Sequence, residues 1–553
     1  MRKRYTRIIA ILIAMMMVFA MVAACADEPV AQEDPPEVEA TPEPEPEEEP
    51  EEIVVDETPI EAQPDIEATE THLNVVFPML PTHLDPTLAN EVPMARANYL
   101  IFQTLVYLDG GEAVPGLATS WEFVDDSTIV FQIREGVRFH DGSYLTADDV
   151  AFSLNRTAEA PAVGIITGMI DEAVVTGDYE VTVTTEFPFV AMLLHLSHTA
   201  ASIVSQEVVE RIGEDEHTLH PIGTGPFMFE SQVAGDRMDF VRFDDFSSVV
   251  PGLPEGELPA IERITFRVIP DPSVRTIELE TGAAHIVFDV GATEVQRIRD
   301  NPDLTMHEIP NFSLNSWLGF NTQHPPFDDV RVRQAIAYAI DIESIVDVAW
   351  AGLGVVGRSV LPSTVPGFVE FPIIPQDIER ARELMAEAGF EDGFETDIWL
   401  NEGNAMRADA ATMIQAQLRA LNIETTINIY EWATLLPATA AGEHQMSIMG
   451  WNIPTGDPDY GVFPLYHSSN IGADNRTHLN DPRVDELLER SREETDHDVR
   501  MAIYAELQEL LMEEILPIVP LWQAAELHAT LANVQGFSVT PGGLMAIWNV
   551  VIG

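Results

Sequence analysis

Few side chains in this chain stand at spacings that could do chemistry. The sharpest run is Gly352-Leu353-Gly354-Val355-Val356-Gly357, the GxGxxG spacing whose glycines let a backbone approach a dinucleotide pyrophosphate. What precedes it, Ser344 to Trp350, reads as helix, and Val360-Leu361-Pro362 follows where a helix N-terminus would have to hold the phosphates. A turn-rich connection is therefore expected. His195 and His198, like His217 and His220, are spaced to put two imidazoles on one helical face, but neither pair has the further Cys or carboxylate of a zinc site. No metal site is expected. The chain has no GxSxG elbow, no HExxH and no Walker sequence, and 92 scattered carboxylates do not define an acid and base pair. The reading is of a protein that is not an enzyme and carries no cofactor.

The elements that would position any site alternate short strands with amphipathic helices from Thr71 onward. Strands are expected at His72 to Phe77, Thr128 to Arg134, Glu180 to Phe187 and Ile264 to Ile269, where β-branched and aromatic residues alternate or cluster. Helices are expected at Gln376 to Ala388, Arg407 to Leu421 and, as one long run, Val484 to Leu516. Another is expected from Val330 to Ile340, opened by Asp328 and Asp329. Thr146 reads as the N-cap of a helix and Gly142 as a turn position that needs positive φ. No internal repeat is visible.

The 553 residues suffice for two to four domains, and 46% are hydrophobic, so a large core is available. The 28 Lys and Arg against 92 Asp and Glu give a net charge of −64, which excludes nucleic acid as a partner. Arg2, Lys3, Arg4 and Arg7 precede an apolar run from Ile8 to Ala24, in the order of an export leader. Val22-Ala23-Ala24-Cys25 resembles a bacterial lipobox, so residues 1–25 are expected to be a lipoprotein signal peptide with Cys25 as the lipid attachment site. Two acyl chains would suffice for stable anchoring. As the only cysteine, Cys25 also excludes an intrachain disulfide. Residues 26–70 hold 19 acids, nine prolines and no Lys or Arg, the composition of an extended, disordered linker.

Several blocks resemble one family, the extracellular solute-binding proteins of family 5 that serve ABC importers. The densest is Leu117-Ala118-Thr119-Ser120-Trp121-Glu122, followed by Ile133-Arg134-Glu135-Gly136-Val137-Arg138-Phe139-His140-Asp141-Gly142 and by Leu145 to Leu154. Gly223-Thr224-Gly225-Pro226-Phe227, Pro326 to Ile336, Glu431-Trp432, Gly450-Trp451 and Gly456-Asp457-Pro458-Asp459 follow in the family's order. Most of these read as scaffold; Arg331 and Arg333, beside Asp328 and Asp329, read as a local charge network.

The resemblance implies an α/β chain with the two-lobed periplasmic-binding-protein fold, type II in its large cluster C form, with a hinge and a ligand cleft between lobes. Lobe I would take residues 71–295, with a subdomain near 100–218, and recover the C-terminal stretch 525–553; lobe II would take 296–524. Ligand contacts made to both lobes would favour closure, the shape an importer's permease should recognise. Carried over by position, the site would lie at Asn90-Glu91-Val92 in one lobe and Trp451-Asn452 in the other, where backbone groups could hold an extended peptide. Trp432 and Trp522 would wall side-chain pockets, although each reads equally well as a core aromatic; Tyr460 is a further candidate.

The chain departs from the peptide-binding pattern at one point that matters. Relatives place an aspartate three residues after the cleft tryptophan, against the ligand's α-ammonium, and here that position is Pro454. The cleft arginines of relatives are replaced by Thr439 and Ile448. A buried ammonium needs a counter-charge, so Asp457, Asp459 or Glu91 is expected to replace it, Asp457 foremost, or the ligand lacks a free amino terminus. The function implied is capture of a small solute, a di- or oligopeptide first, by an extracytoplasmic, lipid-anchored monomer. The protein would deliver that solute to ABC permease and ATPase subunits. Alternatives are an oligosaccharide or nickel chelate in the same role and, in another class, an extracellular hydrolase or a structural surface lipoprotein.

Overall fold

The computed structural model describes residues 70–553 except 82, 89, 110, 310–313, 524 and 541. The expected leader with Cys25, and the acidic segment as far as residue 69, lie outside the described residues. Among those described, no helix is long and apolar enough to cross a membrane.

Two sheets organise the chain as two α/β lobes. The first has seven strands in the spatial order Leu304–Ile309, Glu526–Leu531, Ile286–Val287, His72–Phe77, Arg263–Val268, Arg237–Arg242 and Phe227–Val233. His72–Phe77 is the pivot, parallel to both neighbours, and its Leu73, Val75 and Val76 are fully buried. The second sheet runs Val355–Val356, Ile518–Gln523, Leu314–Phe320, Met446–Asn452, Glu395–Asn401 and Glu424–Tyr430. A four-stranded antiparallel sheet, Ala118–Asp125, Thr128–Ile133, Glu180–Thr185 and Ile170–Gly177, closes a separate core around Phe131, Val150 and Leu196.

The chain passes between the large sheets twice, after Ile309 and after Gln523. The strand Leu304–Ile309, which the sequence reading put in lobe II, pairs along its whole length with the returning strand Glu526–Leu531 in the first sheet. Alternation shows which face of such a strand is buried but not which strand will pair with it.

Local signals act where expected. Thr146 accepts from the Asp149 amide and Asp149 bonds back to the Thr146 amide, a reciprocal cap on the helix Ala147–Ala158. Replacing Thr146 with alanine is expected to lower stability by about 1 kcal/mol in urea unfolding. The expected helix Val484 to Leu516 is in fact two, Pro482–Glu493 and His497–Glu509, and the second runs on into a π turn at Leu510–Ile515. Asp496 accepts from the Val499 amide and restarts the helix, a break that apolar periodicity cannot register. Arg331 pairs with Asp329 as expected, but Arg333 turns inward and donates to the carbonyls of Phe327, Ile515 and Leu516 at that helix end. The GxGxxG run is a turn leading into the short strand Val355–Val356 at the edge of the second sheet.

Candidate ligand-binding site

The strand Met446–Asn452 is central to the second sheet but asymmetrically paired. Leu314–Phe320 pairs with it along its full length on one side. On the other side Glu395–Asn401 pairs only with Met446 and Ser447, so among the described residues 448–452 have a strand neighbour on one side only. At the end of that half-open stretch, the Trp451 indole N–H donates to the Tyr460 carbonyl at 2.8 Å, and the two rings stand 5.6 Å apart. Asn452 reaches across to the other lobe and donates through Nδ2 to the Gly542 carbonyl at 2.9 Å. Gly542 fits because a β-carbon there would come within 2.8 Å of the Pro454 backbone.

Asn90 meets this cluster from the first lobe, donating through Nδ2 to the Tyr460 hydroxyl. Glu91 and Val92 follow at the start of the helix Val92–Ile101; Glu91 is the N-cap residue, but its side chain makes no capping bond. Tyr460 is 2% exposed and also faces His195 and His198, ring centroids at 6.0 and 5.9 Å. One phenol thus meets elements of both lobes. Trp432 opens the helix Trp432–Ala440 and packs against the same apolar cluster as Trp451 and Tyr460. Trp522 does not: it is 2% exposed, faces Trp350 at 6.3 Å and lies in a different core.

Asp457 is not free to meet a ligand. It receives two bonds from Arg500, 2.8 and 2.7 Å, with both side chains 5% exposed, and it caps the helix Pro458–Tyr466 through the Asp459 amide at 2.8 Å. Burial opposes its charge, yet the Arg500 guanidinium holds the carboxyl below its ordinary value. Asp459 is buried beside Arg492 at 3.2 Å and His195 at 4.0 Å. Asp457 therefore cannot replace the missing aspartate; its work is to set the helix that carries Tyr460. Of the three carboxylates, Glu91 alone has no partner among the described residues.

The family blocks around residue 140 serve the scaffold. His140 Nε2 donates to the Gly225 carbonyl at 2.9 Å, while Nδ1 accepts from the Gly223 amide at 3.3 Å, so a neutral ring ties two blocks together. Gly142 has φ of +89° as its turn requires. Burial lowers His140 and His444 to about 4, and His198 to about 3. Unfolded imidazoles take up protons near 6.5 and these folded ones do not, so their contribution is complete above pH 6.5 and lost on falling to about 4. The urea midpoint is expected to fall between pH 7 and pH 4.5, less steeply in His140→Gln; a flat midpoint in both would refute this.

His217, spaced from His220 as a ligand pair would be, instead bonds Asp85 at 2.9 Å, and Arg156 adds two bonds to that carboxylate at 2.9 and 2.8 Å. Sequence reasoning missed three residues near Trp451, namely Tyr466, Asp474 and Arg476, which with Trp451 line a small recess. They belong to no motif and offered no signal in the chain.

Residues 112–473 match the bacterial extracellular solute-binding proteins, family 5, middle region. The dipeptide-binding protein of Escherichia coli K12 is 30% identical over 475 residues, covering 80% of this chain and 86% of the relative. Heme-binding protein A of Haemophilus influenzae is 28% identical, covering 79% and 84%. Among solved structures, the ABC transporter-associated periplasmic binding protein DppA of Helicobacter pylori, in complex with the peptide STSA, superposes with a TM-score of 0.80. It is 26% identical and covers 87% of this chain and 98% of that one. A match over most of the chain, with the two-lobed fold around the Tyr460 seam, leaves one conclusion: the chain belongs to the family 5 bacterial extracellular solute-binding proteins.

Proposed function

We propose that this protein captures a short peptide between its lobes and hands it, chemically unchanged, to the permease of an ABC importer. The observation that carries the peptide reading is the half-open strand: residues 448–452 are paired on one side only, beside the seam where Asn90 touches Tyr460. An extended peptide laid there would bond main chain to main chain, whatever its side chains, with Trp432 and Trp451 as apolar walls. A relative named dipeptide-binding and a neighbour solved with a tetrapeptide support the same ligand class. Glu91, lacking a side-chain partner among the described residues, is the carboxylate left to meet an ammonium.

The N-terminal leader and Cys25 support a diacylated anchor on the extracytoplasmic membrane face, with the acidic segment as spacer and a monomer as the working unit. Lobe limits follow the two chain passages after Ile309 and Gln523.

Native mass spectrometry of the purified protein, then denaturation and analysis of the released small molecule, tests this reading. An intact peptide is expected. Recovery of a sugar or a metal chelate would overturn the peptide reading, and recovery of cleaved fragments after incubation with peptides would overturn the transport reading.

A further inference from the structure

The second lobe meets the unit built on the four-stranded sheet along a seam that holds charged and titratable groups from both sides. Val163, Ile166 and Ala200 of that unit pack in one apolar cluster with Tyr460, Leu465 and Leu488 of the second lobe. Arg492, on the helix Pro482–Glu493, places its guanidinium carbon 5.0 and 5.3 Å from the ring centroids of Phe187 and Phe189 in the four-stranded unit, and 4.0 Å from that of Phe463 in its own lobe. Rings of both units thus hold one cation. Its Nε lies 3.2 Å from Asp459, and that carboxylate stands 4.0 Å from His195 Nε2.

His195 is fully buried in this seam. Its Nδ1–H donates to the Ile166 carbonyl at 3.0 Å, which in the neutral ring leaves Nε2 a bare acceptor, buried without a bond and turned toward a carboxylate. His198 packs on Tyr460, and its Nδ1 accepts from the Ala200 amide at 3.0 Å. The groups facing the two rings are Asp457, Asp459 and Tyr460 from the helix Pro458–Tyr466, and Arg492 from the helix that follows. Asp457 is already paired with Arg500, and Arg492 opposes a second cation. Burial outweighs the two carboxylates, so both imidazoles are held neutral below their ordinary 6.5. Every one of these contacts is protein to protein, so parting the seam would return both rings to water.

We infer that this seam is a proton-sensitive clasp: closing it buries His195 and His198 in their neutral form, so acid favours the open lobes and release of the ligand. It rests on the peptide reading for its ligand and on lobe closure for its motion. The sign follows from linkage. An imidazole exposed by opening takes up a proton near pH 6.5, and that proton must leave before the lobes close, so apparent affinity falls as pH drops through that value. One such ring lowers the closing-competent fraction about tenfold between pH 7.5 and 5.5.

Titration calorimetry with tri-alanine at pH 7.5 and 5.5 tests this, repeated at pH 6.0 in two buffers of different ionisation enthalpy to count protons. Wild-type binding is expected to weaken about tenfold at the lower pH and to release about one proton at pH 6.0. The double variant His195→Asn, His198→Asn offers an amide in place of each Nδ1 and cannot titrate. Its affinity is expected to stay within about threefold across the same pH range, with proton release cut to less than about half. The wild-type proton count decides the matter even where a variant fails to fold. Wild-type affinity within threefold at the two pH values, tighter binding in acid, or proton uptake would overturn the inference and leave peptide capture intact. An unchanged pH dependence in the folded double variant would also overturn it, by placing the titrating group elsewhere. Binding of tri-alanine at neither pH would overturn both readings.

Discussion

Replacing Asp457 with alanine is expected to lower stability by about 3–5 kcal/mol, among the largest single losses in the molecule. The change leaves the Arg500 guanidinium charged, 5% exposed and without the two carboxylate bonds that neutralise it. It also removes the cap from Pro458–Tyr466, the helix that carries Tyr460 to the interlobe seam. Urea unfolding measures the loss directly. Pairing Asp457→Leu with Arg500→Leu is expected to recover much of it, because replacing both charges with apolar groups removes the unpaired charge. The pH dependence has a definite sign: the folded carboxyl titrates below its ordinary 3.8, so its stabilisation is present above pH 3.8 and lost as pH falls further. A loss under about 1 kcal/mol in the single variant would show that the pair does not organise this helix.

Replacing Trp451 with alanine is expected to weaken peptide binding by about 100-fold, in the range of a buried aromatic anchor. Its ring packs on Tyr460, so in the proposed peptide site truncation would remove ligand contact area, and it leaves the Tyr460 carbonyl without its indole donor. Trp522→Phe is the matched control, since Trp522 lies in the core with Trp350. That change is expected to reduce stability and leave affinity within about threefold. Calorimetry with a tripeptide, alongside thermal unfolding of both variants, separates the two outcomes. An affinity for Trp451→Ala within twofold of wild type would remove Trp451 from the site.

Much of the architecture was legible in the chain because its causes are local. The strands His72–Phe77 and Thr128–Ile133, the helix Ile378–Ala388 and the Thr146 cap each rest on residues within a few positions of one another. Family blocks supplied the rest of the frame, and the fold sets Asn90 against Tyr460 and Tyr460 against Trp451. The readings that the chain left open or misplaced concern residues whose role depends on distant partners. Asp457 was the carboxylate expected to meet an ammonium, and its partner Arg500 is 43 positions away; Trp522 read equally as a pocket wall or a core aromatic, and it is buried beside Trp350.

From its residue order, read with the family resemblance, the chain indicates a two-lobed α/β solute-binding protein whose motifs hold no catalytic constellation. Only the tertiary structure decided which charges were already neutralised, which strand edge was left without a neighbour, and that Tyr466, Asp474 and Arg476 share a recess with Trp451. The reason is physical: periodicity and capping are encoded over one or two turns of chain. Whether a carboxylate or guanidinium can serve a ligand depends instead on the group packed against it, and that group is brought there by the fold from anywhere in the sequence.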